Sequence, residues 1–147
     1  MATTYLKNID PRQPEAFVLA VDVEAPEAVT GTQTVPLCRL PKNTIVLDVR
    51  SVQLVQGAGS AAITFELKNT EGTPKVFLGA TPANAKGAVA VNTTLDTATN
   101  GGDAASVLRP ATAAASDLNV VYIAAGTITT KPKIRFLVTM LRINLNP

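Results

Sequence analysis

Residues 131–145 read Lys-Pro-Lys-Ile-Arg-Phe-Leu-Val-Thr-Met-Leu-Arg-Ile-Asn-Leu. Ile134, Phe136, Val138 and Met140 alternate with Arg135, Leu137, Thr139 and Leu141. A period of two is the pattern of a strand with a buried face. The second face carries Leu137 and Leu141, so it is not a plain solvent face. Those two leucines are the expected oligomer interface, hidden against a neighbouring subunit. After Met140 the apolar set becomes Leu141, Ile143 and Leu145, which predicts a β-bulge near 140–141. At roughly 3.3 Å per residue the run reaches about 45 Å, and a strand of that length needs partners.

The rest of the chain supplies them. A chain of 147 residues fits one domain and buries a real core. Trp is absent and aromatics make up only 4% of residues, so that core is built from Val, Ile, Leu and Ala. No apolar run approaches the ~20 residues of a helical membrane span, and no membrane partner is expected. The first seven residues lack the basic-then-apolar layout of a signal peptide. The single cysteine, Cys38, forms no internal disulfide and reads as a small hydrophobe in a strand.

The formal net charge of +2 conceals an uneven spread. Residues 15–27 hold Glu15, Asp22, Glu24 and Glu27 with no base. Residues 131–142 hold Lys131, Lys133, Arg135 and Arg142 with no acid. The expectation is two separate solvated strand faces, with lysines guarding an exposed edge. The competing reading pairs the two segments, within a subunit or between two. Nucleic acid is not an expected partner, because bases are few and no aromatics are interleaved with them.

Residues 1–14 read as an extended N-terminal arm and residues 15–147 as a single β-sandwich domain. Pro11 and Pro14 each remove a backbone donor and hold the preceding residue extended. Tyr5, Leu6 and Ile9 are apolar anchors along the arm, and Lys7 and Arg12 supply charge. The arm is expected to dock, on a partner or back on its own domain.

Within the sandwich, residues 16–23 form the first strand, with Phe17, Leu19, Val21 and Val23 on one face. Residues 33–40 form the second, and Pro36 assigns it to a sheet edge or bulge. Pro41-Lys42-Asn43 is a turn. Residues 44–55 form a long strand with Ile45, Leu47 and Val49 on one face and a second bulge past Ser51. Gln56-Gly57-Ala58-Gly59 signals a hairpin into residues 61–67. Short strands are expected at 75–80, 88–91 and 104–108, and one helical turn at 111–116. Residues 118–124 alternate Leu118, Val120, Tyr122 and Ala124 with Asn119, Val121 and Ile123. About eight strands separated by Gly, Pro and Asn turns describe an all-β sandwich or jelly roll.

Catalytic chemistry is scarce. Without histidine the usual general base and the commonest metal ligand are missing. No Gly-x-Ser-x-Gly elbow occurs. Residues 96–103 offer Asp96, Asn100 and Asp103 around Gly101. Ala98, however, lacks a donor where a calcium loop needs one, and Val107 stands in place of the closing acid. The expectation is a polar loop tip, no metal, no cofactor, no small-molecule substrate and no enzyme. A glycan-binding sandwich is also weighed, but Tyr5 and Tyr122 are the only tyrosines available for stacking.

The run Leu40-Pro41-Lys42-Asn43-Thr44-Ile45-Val46-Leu47-Asp48-Val49 resembles an opening found in small β-sandwich virion proteins of tailed bacteriophages. The resemblance continues through Ala61-Ala62-Ile63-Thr64-Phe65-Glu66-Leu67 and Val76-Phe77-Leu78-Gly79-Ala80. It resumes at Asp117-Leu118-Asn119-Val120-Val121-Tyr122-Ile123 and ends in residues 133–145. It covers roughly residues 33–145, and its motifs are strand and turn patterns. The arm and the acidic stretch lie outside it. It implies a structural role of the head decoration (cement) type, made in the host cytoplasm and placed on the virion surface. The implied partner is the major capsid protein, bound by a homotrimer, with Tyr5, Leu6, Lys7, Ile9 and Arg12 of the arm expected to carry the attachment. A head-fibre base or tail adaptor is the alternative.

Overall fold

The computed structural model describes residues 15–25, 30–70, 76–92 and 115–142, and its regular structure there is all β. The strands are β1 (Glu15–Glu24), β2 (Gly31–Leu40), β3 (Thr44–Val55), β4 (Ala58–Gly59) and β5 (Ile63–Asn69). They continue with β6 (Val76–Pro82), β7 (Val89–Asn92), β8 (Ser116–Ala124), β9 (Ile128–Thr130) and β10 (Lys133–Arg142). One four-stranded sheet runs β1-β10-β3-β7 and the other β2-β8-β5-β6. A short ribbon joins β4 to β9. Every pairing is antiparallel. Apart from the β5–β6 hairpin and the β4–β9 ribbon, successive strands alternate between the two four-stranded sheets, which is the connectivity of a jelly roll.

The strand at the end of the chain has the partners its length requires. β10 lies between β1 and β3. Its register with β1 is unbroken from Glu15↔Arg142 to Glu24↔Lys133. Ile134, Phe136, Val138 and Met140 face inward and are buried. Opposite them stand Ile63, Phe65 and Leu67 of β5 and Leu118, Val120, Tyr122 and Ala124 of β8, also buried. The rings of Phe65 and Phe136 meet edge to face across the sandwich, 5.8 Å apart at 84°. That is the favoured geometry for two quadrupoles. Tyr122 completes the contact between sheets, its buried hydroxyl donating to the Val23 carbonyl of β1 at 2.9 Å.

Several expectations hold in detail. β2 is an edge strand, and its register with β8 shifts between Pro36 and Cys38, where the missing donor costs no ladder bond. The turn before β3 places Asn43 at φ 62°, a left-handed position that Asn tolerates. Cys38 is half-buried against the core. Burial, reinforced by Asp117, pushes its thiol up to about 11.

Others are corrected. β10 keeps its phase through Arg142, with Met140 inside and Leu141 outside. The irregularity lies across the ladder on β3. Thr139 pairs with Asp48 and Met140 with Val46, so Leu47 is the extra residue. The second shift, which leaves Leu54 extra between Gln53 and Val55, is the bulge expected past Ser51. Consequently Val46 and Val49 point inward together, and Ile45 and Leu47 do not share a face with Val49. A bulge belongs to a pair of strands, and apolar residues on both faces of β3 hide its location from a single-strand reading. The expected hairpin at 56–59 is also absent, since β3 and β5 lie in different sheets. Gly57 instead serves a close crossing. Its amide donates to the Ala83 carbonyl at 2.9 Å, and an added Cβ would stand 2.8 Å from that oxygen. The strand at 104–108, most of the turn at 111–116 and the loop at 96–103 fall outside the described residues.

Candidate functional site

The two outward faces of the sandwich differ in chemistry. On the β2 sheet, Thr32 and Thr34, Asn119, Thr64 and Glu66 face out, with Arg39 paired to Asp117 and Lys68 to Glu66. Among these polar residues β8 places Val121, which is buried, and Ile123, which is 39% exposed, so this face is mixed rather than purely polar. On the β1 sheet, Leu137 and Leu141 project outward from β10, half-buried by their neighbours. Leu137 is flanked by Ala20 and Arg50, and Leu141 by Ala16 and Ile45. Val18 of β1 is 63% exposed and Val89 of β7 61% exposed. A shallow, open trough beside Leu137 is lined by Ala20, Asp22, Val52, Leu54 and Arg135.

Charge on this face is already internally neutralised. Arg135 grips Asp22 with two bonds, 2.6 Å from its Nε and 2.9 Å from its second terminal nitrogen. Asp22 is held below the usual carboxylate range, first by the Arg135 hydrogen bond and then by the charges of Arg135 and Lys133. Arg50 pairs with Asp48 at 2.8 Å. The acidic and basic segments are therefore adjacent strands of one subunit. The expectation of separate solvated faces with a lysine-guarded edge is corrected, because β10 is interior to its sheet and its cations lie in register with the acids of β1. A face with apolar side chains and paired charges can meet another protein without leaving a charge unpaired, although one carboxylate oxygen of Asp48, Oδ1, is buried without a hydrogen-bond partner.

The sequence-predicted interface residues Leu137 and Leu141 thus share one outward face. The arm residues Tyr5, Leu6, Lys7, Ile9 and Arg12 lie outside the described residues. Sequence reasoning missed the contribution of β1. Phe17 alternates with the inward set and pairs in register with Met140, which is 3% exposed, yet Phe17 is itself 40% exposed. The cause is that β1 ends its sheet, and strand order is not written in periodicity.

Among the described residues no three Cys, Asp or Glu side chains gather into a metal-binding group. Among them, too, no helix is long and apolar enough to cross a membrane. Tyr122 is fully buried and hydrogen-bonded, so it presents no ring for sugar stacking.

No protein-family model matches the sequence, and no curated protein matches it. Solved structures do match the fold. A chain in the capsid of Ralstonia phage GP4 superposes with a TM-score of 0.57 at 14% identity, over 87% of this chain and 84% of that one. A chain in the capsid asymmetric unit of cyanophage Pam1 superposes with a TM-score of 0.59 at 18% identity, over 88% of this chain and 86% of that one. At these identities the likeness is one of fold: this chain has the all-β sandwich found in both capsid chains.

Proposed function

We propose that this protein is a structural component of a phage virion, a head decoration protein that binds the outer surface of the shell and bridges its subunits. The observation that carries the reading is the match of fold, over 87% and 88% of this chain, to chains in two phage capsids. The outward face of the β1 sheet supports it, since a mechanical role needs surfaces rather than a cleft. The protein acts as a homotrimer at three-fold positions. Its contacts, to the major capsid protein and between copies, use the arm (Tyr5, Leu6, Lys7, Ile9, Arg12) and the face carrying Leu137 and Leu141. Each contact is weak alone and reinforced by repetition over the lattice. The sandwich does no covalent chemistry. Electron microscopy of the native particle, at a resolution that places one copy, tests the reading. Copies spread over the whole head surface are expected. Copies confined to one vertex or to the tail would replace decoration with a head-fibre base or adaptor role.

A further inference from the structure

The sandwich is closed along one side and open along the other. At the β6–β7 side Phe77 and Leu78 are buried. At the β1–β2 side the inward residues Phe17, Leu19 and Val21 of β1, and Val35 and Leu37 of β2, remain partly exposed. Their register partners on the inner strands, Met140, Val138, Phe136 and Val120, are all buried. Among the described residues β1 is an edge strand, ten residues in unbroken register with β10 and without a bulge, a proline or a lysine. Its charges, Glu15, Asp22 and Glu24, sit at its two ends, so its middle, Ala16–Val21, carries none of the devices that keep an edge from accepting another strand.

We propose that the free edge of β1 receives residues 3–10 of a neighbouring copy, which add a strand to the sheet and cover the open side of the core. Residues 3–10 contain no proline, so they match most of the length of β1 and can donate along it. Residues 1–14 end where β1 begins at Glu15, so each copy carries both the donor segment and the receiving edge. Besides Asp22, which Arg135 already holds, β1 bears Glu15 and Glu24 and no base, and the donor segment offers Lys7.

The sequence joining the two selects the neighbour over the chain's own edge. A four-residue hairpin loop is most often built on a type I turn, which needs helical backbone in its centre. Pro14 disfavours that conformation at Gln13, and Pro11 holds Asp10 extended. Residues 11–14 therefore work as a spacer that carries the strand onward. When the arm is passed from copy to copy the contact is heterologous, and a rotation that closes gives a ring, the arrangement that three copies require. The inference deepens the several-copy part of the proposed function but is tested on the isolated protein, so either can fail without the other.

The test uses the full chain in sedimentation, with thermal melting as the control for folding. Val18→Lys guards the edge at an already exposed position. Leu6→Pro removes a backbone donor from the arm and leaves the sequence of the sandwich unchanged. The wild type is expected to sediment as a closed oligomer, and each variant to shift at least tenfold toward monomer with its melting transition kept. A mixture of Val18→Cys and Leu6→Cys chains, both with Cys38→Ser, is expected to form the mixed disulfide on oxidation. A monomeric wild type overturns the proposal, as does an oligomer unaffected by both substitutions. Loss of the oligomer with Val18→Lys but not with Leu6→Pro would assign the edge to a second β1 instead of the arm, and would also overturn it.

Discussion

Two side chains show how single groups fasten β1 to the rest of the molecule. The Tyr122 hydroxyl is buried and has one partner in hand, the Val23 carbonyl. Tyr122→Phe keeps the ring in the core and removes that bond, at an expected cost of about 1–2 kcal/mol by chemical denaturation. Burial, reinforced by Glu24, raises the Tyr122 pKa above its ordinary 10.0. A group raised in the folded state contributes fully below its unfolded value and is lost as pH climbs toward the folded one. Stability should therefore decline above pH 10 in the wild type, and by less in Tyr122→Phe. Asp22 has the opposite sign. Its folded pKa is depressed by Arg135, so its contribution is present above the ordinary value of 3.8 and fades as pH falls below it. Asp22→Asn should flatten that acid limb of the melting temperature, and an unchanged acid limb would show that the pair is energetically silent, as many exposed pairs are.

β10 is the element on which both faces of the sheet depend. Its inward side is sensitive to cavities. Phe136 is fully buried and its ring meets Phe65, so Phe136→Ala should destabilise by about 3–5 kcal/mol in denaturant unfolding. Its outward side tells a different story. Leu137 is only half-buried within the subunit, between Ala20 and Arg50. Leu137→Lys should leave the melting transition nearly in place and shift the protein toward monomer in sedimentation. A conserved mass with the fold intact would remove Leu137 from the oligomer interface. The two substitutions lie one residue apart, and their contrast measures which face of the strand serves the core and which serves assembly.

For the whole molecule, deletion of residues 2–14 should leave a folded sandwich and weaken binding to shells at least tenfold, about 1.4 kcal/mol. Stable protein that binds shells as before would assign attachment to the sandwich alone. Much of this architecture was legible in the chain itself. Alternation identified β1, β8 and β10, and for β1 and β10 the side that turns inward, because burying one face of a strand demands a period of two. Pro36 announced an edge, and Pro41-Lys42-Asn43 a turn, through local backbone chemistry. The missing histidine removed the usual chemistry of a reaction centre before any coordinate was known. Tertiary structure alone decided the rest. It put the bulge expected near Met140 on the facing strand, at Leu47 of β3, and it sent β3 and β5 to different sheets across Gly57. It joined Asp22 to Arg135 from segments 113 residues apart, and it left β1 at the edge with Phe17 uncovered. Each of these is a property of two strands at once, and hydrophobic periodicity within one strand carries no record of its neighbour.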